Sequence, residues 1–155
     1  MSDRLLSTYL NDHLAASLAA LELARRVAGS NRDNAIGREL EQLAFALEED
    51  RQALQNAMDR LGVTRDVTKL VVGWSAEKLG RLKLNGRLIG YSPLSRVEEL
   101  EILTLGVEGK LLLWQSLGRI GALEQPDELV KRARSQLRVL RRLRLQAVEQ
   151  AFGVR

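Results

Sequence analysis

The chain has no cysteine, two prolines, a single histidine and an aromatic content of only 4%. Without cysteine there are no disulfides, no thiolate-bound zinc or iron–sulfur cluster and no thiol nucleophile. Long apolar runs are missing as well. The longest block of large apolar residues, Leu111 to Trp114, is far short of the ~20 residues that cross a bilayer. The N-terminal Met-Ser-Asp-Arg-Leu-Leu lacks the apolar core of a secretory signal. Together these absences lead to the expectation of a soluble, cytoplasmic protein.

What is present is Leu, Ala, Arg and Glu, all strong helix formers, in a chain that is 45% hydrophobic and 28% charged. At 155 residues it is long enough to bury a core without covalent staples. The expectation is one all-α domain over 1–155. The net charge of +4 is unevenly placed: residues 1–61 carry 7 basic and 10 acidic side chains, and residues 62–155 carry 17 and 10. Such polarity favours an acidic partner, or association between unlike halves.

Apolar residues at spacings of three and four predict a first helix from about Asp3 to Ala28, with Leu6, Leu10, Leu14, Leu18 and Leu21 inward. Gly29-Ser30-Asn31 is expected to end it in a left-handed conformation. A second helix runs from about Asn34 or Ile36 to Leu61, where Gly62 closes it, burying Ile36, Leu40, Leu43, Ala44, Leu47, Leu54, Ala57, Met58 and Leu61. These two form a helical hairpin over 3–61. A connector over 62–92 follows, with a short helix expected from about Asp66 to Gly80. Alternation around Asn85-Gly86 is compatible with a small β-hairpin over 81–91 or an ordered loop. Ser92 and Pro93 have the order of an N-cap and first helical residue. They open a second hairpin over 93–152: a fourth helix with Leu100, Leu103, Val107, Leu111, Trp114 and Leu117 inward, and a fifth from Pro126 to about Ala151. Gly106 and Gly109 interrupt the fourth helix at about 1 kcal/mol each, which close approach of a neighbouring helix or ring would explain.

Hairpin, long crossover, hairpin is the layout of a bundle with a single crossover. In that order, and in the second-helix stretch Leu43-Ala-Phe-Ala-Leu-Glu-Glu-Asp-Arg-Gln-Ala-Leu, the chain resembles the ferritin-like superfamily. The resemblance implies a four-helix bundle. Di-iron members take Glu-x-x-His from two helices, and here the only histidine, His13, has Leu10 three residues before it. No site residue carries over on that pattern, and no motif requires a cofactor.

Four glutamates on three helices, Glu22, Glu48, Glu101 and Glu108, would make a carboxylate site for a hard cation if they faced inward. The competing reading places them on solvated faces paired with arginine, the rule for glutamates on amphipathic helices. His13 lacks a Ser, Cys or Asp partner constellation and is read as a boundary residue. The sharpest surface feature is basic: Lys131, Arg134, Arg138, Arg141 and Arg142 line one face of the fifth helix. Such a row suits phosphate, but without interleaved aromatics it reads first as a face paired with the acidic hairpin. Lys78, Arg81, Lys83 and Arg87 form a second basic group. The functional expectations, in order, are a non-enzymatic bundle acting by protein association as a homodimer, with Trp74, Tyr91 and Trp114 as anchor candidates; a nucleic-acid-binding module using the fifth helix; and a metal-dependent oxidoreductase of the ferritin-like kind.

Overall fold

A computed structural model describes residues 2–66 and 91–153. Four α-helices make up almost all of these: α1 (Ser2–Ser30), α2 (Ala35–Arg60), α3 (Pro93–Arg119) and α4 (Pro126–Phe152). The expected fourth and fifth helices are therefore α3 and α4. The expected connector helix and the β-hairpin over 81–91 fall almost entirely on residues 67–90, outside the described residues, as do Trp74 and the basic group Lys78, Arg81, Lys83 and Arg87.

Local chemistry sets the helix ends. Asn34 caps α2, its side-chain oxygen accepting from Gly37 N at 3.2 Å. Ser92 caps α3 by accepting from Ser95 N at 3.0 Å, with Pro93 in the first turn. Gly62, Gly121 and Gly153 adopt positive φ just past the ends of α2, α3 and α4. The end of α1 differs from expectation, because neither Gly29 nor Asn31 is left-handed. The helix instead runs on through Ser30, and Asn31 folds its side chain back to donate to Val27 O at 2.8 Å. That compact turn brings the chain so close that a Cβ on Gly37 would stand 2.1 Å from Asn31 O. Glycine is required there.

Cross-links fix the topology. Arg25 meets Glu48, Arg26 meets Glu99, Arg142 meets Glu39 and Arg141 meets Glu108, so each helix lies antiparallel to both of its neighbours, in the cyclic order α1, α2, α4, α3. α2 ends beside the start of α1, where the Asn11 side chain donates to Thr64 O at 3.0 Å and accepts from Asp66 N at 2.6 Å. α3 begins at the opposite end, where Tyr91 Oη accepts from Asn31 Nδ2 at 3.0 Å. The two hairpins are thus joined across the whole length of the bundle, about 40 Å for helices of this size.

The core falls into two apolar clusters. One, toward the α1–α2 turn, is almost wholly aliphatic, built on Leu21, Val27, Leu40, Leu47, Leu100, Leu103, Val107 and Leu140. The other surrounds Trp114 with Leu10, Leu14, Leu54, Met58, Leu113 and Leu117. Of the expected core, Leu61 is instead partly exposed, because α2 has ended at Arg60 and the chain turns away. Leu23, Val97, Leu113 and Leu143 are buried in addition.

Candidate functional site: a buried ion pair and an exposed apolar stripe

Three polar side chains stand between the two apolar clusters, at the same height on three helices. Asp50 interrupts the inward stripe of α2 between Leu47 and Leu54, Lys110 that of α3 between Val107 and Trp114, and Gln136 lies beside Leu137 on α4. Asp50 is 3% exposed and Lys110 11%. The Lys110 ammonium donates to Asp50 Oδ2 and to Gln136 Oε1, while Gln136 Nε2 donates to Asp50 Oδ2 at 2.9 Å. From the rim, Arg132 gives its Nε to Asp50 Oδ1 at 2.7 Å and reaches Glu49 at 3.3 Å. The network is satisfied around the carboxylate, the condition under which a buried pair is tolerated. Burial lowers the Lys110 pKa, the Asp50 carboxylate opposes that, and Arg132 adds to the lowering.

None of the four glutamates considered as a cation site enters this layer. Glu48 pairs with Arg25, Glu101 with Arg144 and Glu108 with Arg141, all at the surface, and Glu22 is exposed. Among the described residues no three of His, Cys, Asp and Glu converge as a metal-ligand group. His13 is half-buried with its ring edge-on to Tyr9, centroids 4.6 Å apart. Its pKa is lowered by burial, against the pull of Asp12.

A second polar cluster pins the opposite end of α3. Glu99 is buried and accepts from Arg26 at 2.9 Å. Tyr91 holds Asn31 and lies under the Arg96 guanidinium, 5.6 Å from the ring centre. Burial first, then the neighbouring Glu99, pushes the Tyr91 phenol up to about 12 against the Asn31 hydrogen bond. Tyr91 is half-buried as an internal tie, and Trp114 is fully buried within the core.

The basic face of α4 is exposed as expected, but its charges are unequally engaged. Arg142 pairs with Glu39, holding that carboxyl below its usual range by hydrogen bonding. Arg141 pairs with Glu108 and Lys131 with Glu128. Arg134 and Arg138 have no ionic partner among the described residues, and they line an open groove of about 890 Å³ between α2 and α4 with Arg60, Lys131 and Arg132.

The outer face of α3 is the least expected surface. This helix is apolar on both sides: Leu103 is 0% exposed, whereas Leu105 is 71% and Leu112 60% exposed. Leu94 is exposed on the same helix and Ile120 just past its end, and Leu145 and Phe152 on α4 beside it. Gly106 faces α1, where a Cβ would stand an ordinary 3.7 Å from Ala20 Cβ, but a Cβ on Gly109 would meet nothing within 4 Å among the described residues. Among the described residues, close approach, the expected reason for these glycines, therefore does not account for Gly109. Gly109 lies on the outer side, between Leu105 and Leu112. Asp50, Lys110 and Gln136 and this outer stripe were both absent from the sequence-level candidates. The available signal was a polar residue at an inward position on three helices, and leucines left over on α3 once its inner face was filled.

Comparison of the chain with protein-family models, with curated proteins and with solved structures finds no match. Among the described residues no helix is long and apolar enough to cross a membrane.

Proposed function

We propose that this is a non-catalytic helical bundle that works by association, pairing two copies through the outer face of α3. The observation that carries the reading is the exposed Leu105–Leu112 stripe around Gly109. Exposed apolar residues at helical spacing mark contact surfaces, and a glycine with no neighbour among the described residues leaves room for a second helix to approach closely. The charges fit a two-fold contact. Glu98, Leu105, Leu112 and Arg119 follow one another at intervals of seven, so an antiparallel register that sets Leu105 on the partner's Leu112 also sets Glu98 on the partner's Arg119. Such a contact is self-complementary, as a closed dimer requires. Light scattering should give a dimer mass for the unmodified chain and a monomer mass for Leu105→Glu with Leu112→Glu, both helical by circular dichroism. A monomer at high concentration overturns the reading.

The proposal includes a ferritin-like relationship. It is supported by the single crossover and by the polar layer at mid-height, where bundles of that kind place their ligating side chains. In this chain the centre of the layer is a lysine ammonium, which favours a structural role over cation binding.

A second reading, a polyanion such as nucleic acid in the α2–α4 groove, is favoured by Arg134 and Arg138. Binding would fall steeply with salt and be abolished by Arg134→Glu with Arg138→Glu. No mobility shift of DNA or RNA at low salt would exclude it.

A further inference from the structure

Beside the Asp50–Lys110 pair, between α1, α2 and α3, lies a cavity of about 40 Å³ whose polar lining is His13, Ser17, Asp50, Arg51, Lys110 and Trp114. Two of these residues carry a buried N–H donor with no acceptor among the described residues: Trp114 Nε1, on a side chain that is 0% exposed, and Arg51 Nε. Buried donors without an acceptor are rare in folded proteins, because the hydration they give up is not replaced. Two around one cavity form a pattern.

Apart from the Ser17 hydroxyl and the His13 ring, the polar lining consists of donors and one carboxylate that is already engaged. Asp50 Oδ1 already accepts from Arg132, and Oδ2 from both Lys110 and Gln136. Glu48 approaches Arg51 only at 3.9 Å, through Nη1, and is engaged by Arg25 at 3.0 Å. Trp, Arg and Lys side chains offer donors only. Charge points the same way. The lining's charged side chains below one-fifth exposure are Arg51 at 18%, Lys110 at 11% and Asp50 at 3%, two cations against one anion.

We infer that this cavity binds one small monovalent inorganic anion of halide size, accepting from Trp114 Nε1–H and Arg51 Nε–H with the Lys110 ammonium as counter-charge. A space of this volume admits a water-sized or halide-sized guest and excludes larger organic anions. A charge-assisted acceptor satisfies both donors at once and offsets the surplus positive charge, which a neutral water would leave in place. Binding at this position ties α1, α2 and α3 together where the two apolar clusters part.

Two measurements on the full chain decide it. In crystals grown with bromide, an anomalous peak should lie within hydrogen-bond distance of Trp114 Nε1 and Arg51 Nε; water alone in the cavity overturns the inference. In solution, the unfolding midpoint should climb by about 3–5 °C for each tenfold rise in chloride above the dissociation constant, with gluconate holding ionic strength fixed. Arg51→Met and Trp114→Phe should abolish that slope. A midpoint that does not respond to chloride in the unmodified protein also overturns the inference, whatever the variants do.

Discussion

Leu103 and Leu105 are two residues apart on α3, and they face opposite worlds. Leu103 is sealed among aliphatic side chains, while Leu105 stands mostly in water. α2 makes the contrast plainer. Its exposed side chains are almost all polar, with Phe45 the one large apolar residue mostly in solvent, as a helix with one partner layer should be. α3 carries large apolar residues on its outer side as well, Leu105 and Leu112 among them. The inner face also holds the Lys110 ammonium, and the outer face Gly109, the one glycine of α3 with nothing beside it among the described residues. The difference teaches that the bundle uses only half of what α3 offers.

The largest effect should come from the inner face. Asp50→Ala leaves Lys110 buried without its carboxylate and should cost about 3–5 kcal/mol in chemical denaturation. Replacing the group together, Asp50→Leu with Lys110→Met and Gln136→Leu, should be near neutral or stabilising. If the single and triple changes were equally damaging, the layer would not be an electrostatic unit. Next, Leu103→Ala should lose about 2–5 kcal/mol through a cavity, whereas Leu105→Ala at dilute concentration should change monomer stability by less than about 0.5 kcal/mol. Equal losses would mean that the two faces of α3 are not different.

At the start of α3 the contrast is testable by pH. Tyr91 has its folded pKa raised from 10.0 to about 12. A raised value contributes stability that is complete below pH 10 and is lost as pH rises toward 12, because the unfolded chain ionises first. Denaturation midpoints should therefore fall across that window, and Tyr91→Phe should flatten the fall. A small effect of opposite sign should appear at Gly109. Gly109→Ala should raise dilute monomer stability by about 0.5–1 kcal/mol through helix propensity while weakening self-association. Gly37→Ala should do the reverse and destabilise, because its Cβ would collide with Asn31 O. A loss at both positions would contradict the assignment of Gly109 to an outside contact.

Much of the fold was legible because it is written locally. Ser92-Pro93 and Gly62 act on their own backbone neighbours, and the leucine spacing of α2 gives its buried face directly. The polar layer was not legible. A periodicity argument assigns Asp50, Lys110 and Gln136 to solvent because they are polar. Only the register of both hairpins, set by turns such as Asn31–Asn34, brings three such residues to one height. Gly37 was hidden for the same reason, its crowding coming from the path of the preceding turn. The outer stripe of α3 was visible in principle: once Leu100, Leu103, Val107 and Trp114 fill the inner face, Leu105 and Leu112 remain, seven apart.

Because the chain contains no cysteine, a single introduced thiol reports on the two-fold contact without background. Gly109→Cys places that thiol next to the proposed axis, where close packing of the two helices would bring the pair within disulfide range. Gln42→Cys places it on the exposed side of α2. Under mild oxidation, association through α3 predicts rapid conversion of the Gly109→Cys chain to a covalent dimer while the Gln42→Cys chain stays monomeric. Linking at position 109 no faster than at position 42 would contradict it.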